Sequence, residues 1–107
     1  MLEEAEIFTF LGINKASSQI LVMLARVPAL STTEIGKQTG LSKPVIQNAI
    51  HNLTVLGWIQ REGNKSNTLY SLSMSIFSII NQIATEKIDQ HRENMLKIQE
   101  LVTVFEA

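Results

Sequence analysis

Between Asn14 and Pro28 the apolar residues Ile20, Met23, Leu24 and Val27 recur at i, i+3, i+4 and i+7, the spacing of one face of an α-helix. Asn14 stands where a side-chain cap would open that helix, and Pro28 closes it. In "STTEIGKQTG" the pair Ser31 and Glu34 has capping-box spacing, Ile35 is placed to turn inward, and Gly40 suits a left-handed C-cap. A third helix follows at once. Ser42 is its candidate cap, Pro44 is tolerated in its first turn, and Ile46, Ala49, Ile50, Leu53 and Leu56 form its buried stripe before Gly57. The period then shortens: Trp58 to Glu62 and Thr68 to Leu72 read as two strands around the turn-forming "GNKSN".

Two further segments flank this block. Leu2 to Leu11 is a short amphipathic helix, with Glu3, Glu4 and Glu6 near its positive end and Gly12 placed to stop it. It is too short to stand alone, so Ile7, Phe8, Phe10 and Leu11 need a surface to pack on, in this chain or in a second copy. From about Ser75 the chain has no glycine or proline and reads as one long helix. Ile76, Phe77, Ile79, Ile80 and Ile83 are apolar over a wide arc, expected to pack partly on the domain. Beyond them Ala84, Ile88, His91, Met95, Ile98, Val102 and Phe105 alternate in steps of four and three, the seam spacing of a coiled coil.

The expected fold is mainly α with a small β-hairpin, an α+β winged helix-turn-helix carrying a long C-terminal dimerisation helix. Residues 1–73 form the winged domain with its N-terminal helix, and 74–107 the dimerisation arm. A chain of 107 residues, 45% hydrophobic and 18% charged, buries one modest core and leaves little room for a separate catalytic domain. "MLEEAE" lacks the basic-then-apolar order of a secretory signal, no stretch is apolar for long enough to span a bilayer, and a cytoplasmic location is expected. The chain has no cysteine, which excludes disulfides and thiolate chemistry. Its two histidines, His51 and His91, fall on different helices without an acidic cluster nearby, so no metal site is expected. His91 occupies a seam position, where a polar residue can fix helix register. No phosphate-binding glycine loop, nucleophile elbow or spaced acid–base pair is present, so neither catalysis nor a cofactor is expected.

Net charge is only −1 at pH 7, but its distribution is uneven. Lys43, Arg61 and Lys65 against Glu62 give residues 41–72 a net +2, while residues 1–30 carry −1 and residues 73–107 carry −2. The positive charge therefore lies in the helix and hairpin.

"LSKPVIQNAIHNLTVLGWIQRE" resembles the recognition-helix signature of MarR-like and TrmB-like winged-helix transcription regulators, through Leu41, Ser42, Ile46, Ile50, Leu53, Gly57, Ile59 and Arg61. "FLGINKASSQILVMLARVPALSTTEIGKQTG" resembles the upstream part of the TrmB-like pattern: a leucine-glycine lead-in, a helix, a short strand and a capped helix. The resemblance covers residues 10–72 and, more loosely, the tail. It implies a sequence-specific regulator that binds double-stranded DNA as a homodimer, at an inverted repeat. Gln47, Asn48, His51 and Asn52 stand where relatives often carry Arg or Lys, and the wing has only Arg61 and Lys65 as cations. Nonspecific binding should therefore be weak. A tail ending at residue 107 leaves no expectation of a large sugar-binding domain; an effector, which the residues do not name, would have to use a small pocket at the dimer interface.

In such a helix-turn-helix the exposed face of the reader holds Ser42, Lys43, Pro44, Val45, Gln47, Asn48 and His51. Gln and Asn pair with adenine N6 and N7, Val45 suits a thymine methyl, and Lys43 suits phosphate or guanine. Arg61, Asn64, Lys65, Ser66 and Asn67 on the wing would hold backbone phosphates. Trp58 and Tyr70 are expected to pack in the core or hairpin. The rival reading is a winged-helix protein–protein interaction module without direct DNA binding, which near-neutral charge favours; a third is a structural coiled-coil adaptor.

Overall fold

The computed structural model describes residues 4–106. The expected helix start at Leu2 and Glu3 lies outside the described residues, as do the side chains of Glu4 and Ile7. In chain order the elements are α1 (Glu4–Phe10), α2 (Lys15–Arg26), α3 (Thr32–Thr39), α4 (Lys43–Val55), β1 (Ile59–Asn64), β2 (Asn67–Leu72) and α5 (Ile76–Glu106). This is the mainly helical winged architecture, with one antiparallel hairpin and a long terminal helix.

Local chemistry sets most boundaries. The Asn14 Oδ1 accepts the Ser17 N–H at 2.9 Å, opening α2. The Ser31 Oγ accepts the Glu34 N–H at 3.2 Å and the Glu34 carboxylate accepts the Ser31 N–H at 3.1 Å, closing the capping box of α3. Gly40 ends α3 at φ 73°, donating its N–H to the Gly36 carbonyl. The Ser75 Oγ accepts the Ser78 N–H at 3.1 Å and starts α5. Ser42 differs from expectation: it takes the extended N-cap conformation ahead of α4 without a side-chain cap bond. Pro44, in the second helical position, has no N–H to offer, which removes one of the two donors that such a cap uses.

The core gathers one face from each element: Phe8 of α1, Ile20, Leu21 and Leu24 of α2, Ile35 of α3, Ile46, Ala49, Ile50 and Leu53 of α4, then Trp58, Ile59, Ile79 and Ile83. Leu30 adds a single antiparallel bridge to Tyr70, its N–H donating to the Tyr70 carbonyl at 3.0 Å and the reverse bond at 2.8 Å. That bridge fastens the α2–α3 connection to the hairpin. Two expected core residues stay outside: Leu56 sits at the α4 C-cap half-exposed, and Val27 lies past the end of α2. Phe10, expected to pack on this chain or on a second copy, is 87% exposed in the chain. Periodicity alone extended the stripes through helix ends, where the backbone turns away and carries the side chain with it.

Leu21, Ser17 and Ser18 are buried although the pattern did not mark them. The Ser18 hydroxyl bonds the Asn14 carbonyl at 2.7 Å and lies 3.2 Å from the Ile13 carbonyl, so its burial leaves no polar group unmatched.

Candidate nucleic-acid interface

The helix-turn-helix is built by α3 and α4 around a tight connection. Gly40 supplies the left-handed turn, and Gly36 faces Ile46 across the helix pair, where a Cβ would make an ordinary contact 3.5 Å from the Ile46 Cδ1. With Ile46, Ala49, Ile50 and Leu53 turned into the core, the opposite face of α4 is exposed. Lys43, Pro44, Val45, Gln47, Asn48 and His51 are all exposed on that helix, with Ser42 exposed just ahead of it. Asn48 and His51, with Pro44 and Val55, stand most nearly opposite the buried stripe; Lys43 and Gln47 flank it. Asn52 shares this outward surface and was not among the expected readers.

A cleft of about 310 Å³ lies where the two helices meet, lined by Thr32, Thr33, Gly36, Leu41, Lys43 and Ile46. Thr32 and Thr33 therefore come near the Lys43 end of α4. Sequence reasoning treated them as the first turn of a capped helix. The available signal was that a helix-turn-helix carries its first helix across the duplex backbone, which makes hydroxyls at that end candidate phosphate contacts.

The hairpin pairs Ile59 with Leu72 through to Asn64 with Asn67, so the turn is Lys65–Ser66, tighter than the expected five-residue loop. Asn64 explains the difference. Its Oδ1 accepts the Ser66 N–H at 3.1 Å, the Ser66 hydroxyl at 2.8 Å and the Asn67 N–H at 3.0 Å, while its carbonyl accepts the Thr68 hydroxyl at 3.0 Å. One side chain thus replaces the missing turn bonds. Gly63 takes φ 85°, and a Cβ there would lie 2.0 Å from the Asn67 carbonyl oxygen.

The side-chain oxygen of Asn64 is therefore engaged within the wing, whereas Lys65, Ser66 and Asn67 are exposed at its tip. Arg61 is exposed on the strand, its Nη2 donating to the Thr68 Oγ1 at 3.3 Å, which lays the guanidinium toward the tip. The acidic Glu62 projects from the other face of the hairpin. Its carboxylate accepts the Ser71 hydroxyl at 2.9 Å and the Gln60 amide at 3.2 Å, holding the anion along the strands.

The base of the wing is tied to α5. The Trp58 indole N–H donates to the Gln82 Oε1 at 3.0 Å, and Ser73 bonds the Trp58 carbonyl through its N–H and the Gly57 carbonyl through its hydroxyl. Trp58 is buried, as expected of a packing residue, and Tyr70 is half-buried. Of the expected dimerisation residues, Ala84 is half-buried and Ile88, His91, Met95, Ile98, Val102 and Phe105 are exposed along α5. Among the described residues no group of three His, Cys, Asp or Glu could hold a metal ion, and no helix is long and apolar enough to cross a membrane.

Comparison with known proteins bears on this geometry. The family model described as MarR family matches residues 11–67, which span α2 to the wing tip. Among solved structures, the ST1889 protein of the thermoacidophilic archaeon Sulfolobus tokodaii superposes with a TM-score of 0.70 at 20% identity, over 84% of this chain and 91% of that one. A MarR-family transcriptional regulator from Silicibacter pomeroyi gives 0.60 at 17% identity, over 82% of this chain and 61% of that one. TubR of Bacillus thuringiensis serovar israelensis, in a structure bound to 24 bp of tubC, gives 0.52 at 19% identity, over 88% and 97%. At these identities the likeness is one of fold. Comparison with curated proteins gave no match.

Proposed function

The chain belongs to the MarR family, and from that premise we propose that it is a sequence-specific, double-stranded-DNA-binding transcription regulator acting as a homodimer. The observation that carries this reading is the uncovered polar face of α4. Lys43, Gln47, Asn48 and His51 stand on a helix whose other side is locked into the core, so their presentation is rigid. In the major groove Gln47 and Asn48 supply donor–acceptor pairs for adenine, and Lys43 reaches phosphate or guanine at the helix start. Arg61, Lys65, Ser66 and Asn67 on the wing, with Ser42 and Thr33 at the helix ends, hold backbone phosphates. Asn64 serves by keeping the tip closed. The family-level reading is compatible with a TrmB-like leader over residues 10–40 and with a cytoplasmic protein.

The division of labour follows the chain: residues 1–73 bind DNA and 74–107 join two copies, so that paired readers meet an inverted repeat with half-sites about 34 Å apart. With three cations in residues 41–72, base contacts and dimerisation carry more of the affinity than bulk electrostatics.

The test is fluorescence anisotropy on pooled random duplexes at ~50 mM salt, followed by selection of bound sites. Binding that weakens as salt rises is expected, because each neutralised phosphate releases counterions. Absence of any salt-dependent binding would sink the DNA reading. It would also favour the alternative that the net charge of −1 suggests, a winged-helix module that docks protein partners.

A further inference from the structure

The proposed homodimer leaves open how two arms meet, and the arm itself carries information on that point. In α5 the residues Ile76, Ile79 and Ile83 face the chain's own core, whereas Phe77 is 75% exposed although it stands in the same turns. Phe77 precedes Ala84 by one heptad. It therefore extends the seam of Ala84, Ile88, His91, Met95, Ile98, Val102 and Phe105 back to the domain, giving an apolar stripe about 42 Å long. Glu86, Glu93 and Glu100 line the opposite side of the helix at heptad spacing. Six exposed apolar seam side chains offer on the order of 500 Å² per chain. Flanking Leu101, 58% exposed, and the part of Ile80 that does not pack on the chain's own core bring that toward the ~800 Å² that each partner contributes to a stable interface.

We infer that this stripe is covered by the same stripe of a second copy running antiparallel, with the two-fold axis between Ile88 and His91. This rests on the homodimer reading above. In that register Ile88 lies against the partner's His91, Ala84 against the partner's Met95 and Phe77 against the partner's Val102, while Ile98 meets the partner's Asn81. The small residue faces the long flexible one, and Phe105 closes over the start of the partner's helix. Flanking the seam, Ile80 meets the partner's Leu101, Lys87 the partner's Asn94 and Arg92 the partner's Thr85, so no like charges oppose.

The competing arrangements fail on charge or on fit. A parallel in-register pair brings Lys87, whose ammonium lies beside Gly12 of its own domain, toward the partner's Arg92, twice by symmetry, and places His91 on its own copy. An antiparallel pair displaced by one heptad puts Arg92 against the partner's Arg92. The antiparallel arrangement also has a consequence for the readers. It separates the two points where α5 joins its domain, at Ile79, by about 32 Å along the arm. That axial offset alone approaches the ~34 Å between successive major grooves on one side of a duplex, whereas a parallel pair has none.

The chain has no cysteine, so introduced thiols report directly. Ala84→Cys and Met95→Cys variants of the full chain, one of them tagged, are oxidised separately and after mixing, with sedimentation velocity on the unmodified protein in parallel. The expected result is a covalent heterodimer in the mixture and none from either variant alone, because like positions lie about 16 Å apart along the axis, beyond disulfide reach. Covalent dimer from a single variant would mean parallel arms and overturn the inference. So would the absence of any cross-link in a protein that still sediments as a dimer, which would move the interface elsewhere. An unmodified protein that sediments as a monomer would instead refute the homodimer reading itself.

Discussion

Replacing Gly63 with Ala tests whether the wing is held by its own backbone. The glycine sits at φ 85°, where an L side chain costs about 1–2 kcal/mol, and the new Cβ would lie 2.0 Å from the Asn67 carbonyl oxygen. No side-chain rotation relieves a contact with backbone, so the tip must open. Opening sacrifices the three bonds to the Asn64 Oδ1, each contributing about 1 kcal/mol, which limits the total because the tip can fray while the domain stays folded. A loss of about 2 kcal/mol, or roughly 8–10 °C in Tm for a chain of this size, is expected. Differential scanning calorimetry reads that change. Anisotropy against salt reads its functional counterpart: with Arg61 and Lys65 no longer held in place, the salt slope should become shallower by up to about two phosphates' worth, with little change in sequence preference. Gly63→Asn separates the two causes, since Asn tolerates positive φ but brings the same Cβ. If Gly63→Ala melts within ~1 °C of the parent and keeps its salt slope, the wing is not organised by this contact and the reasoning is wrong.

Changing Gln47 and Asn48 together to Ala should lower discrimination between preferred and scrambled duplexes by roughly 1–3 kcal/mol per lost bidentate pair, with nonspecific affinity nearly unchanged, as competition anisotropy would reveal. Leu53→Ala, at a position 1% exposed beneath the reader, should cost about 2–5 kcal/mol in urea unfolding; a smaller loss would mean that the α4 stripe is not the core assigned to it. Gln82→Ala removes the acceptor of the Trp58 indole and should cost about 1 kcal/mol, and since Trp58 is the only tryptophan, its fluorescence should shift as the indole N–H is released. Truncation after Ile83 should yield a monomer by sedimentation; a dimer that survives would point to α1 and its exposed Phe10.

Much of the candidate site was legible along the chain because its signals are local. The capping box of Ser31 and Glu34, the Asn14 cap and the left-handed Gly40 each depend on residues within four positions of one another, and all three appear as read. The stripe Ile46, Ala49, Ile50 and Leu53 fixed which side of α4 is free, and with it the exposure of Gln47, Asn48 and His51. Other features were not legible because they depend on distant partners. Thr32 and Thr33 come beside Lys43 only when α3 and α4 pack. Whether Asn64 would face a ligand or close its own turn depended on the register of the hairpin, which tightened the loop to Lys65–Ser66.

The sequence by itself determined the capped starts of α2 and α3, the left-handed end of α3, that a hairpin follows α4, and that the tail carries a seven-residue apolar repeat, since each is set by spacing and by backbone-limited residues. The tertiary structure decided the rest. It left Phe10, Leu56 and Val27 outside the core, drew Ser18 into it, and joined Trp58 to Gln82 across the base of the wing. It also turned Phe77 away from the domain while burying Ile79. Periodicity assigns a residue to a face of its own helix, but only the packing of other elements decides which part of that face is covered.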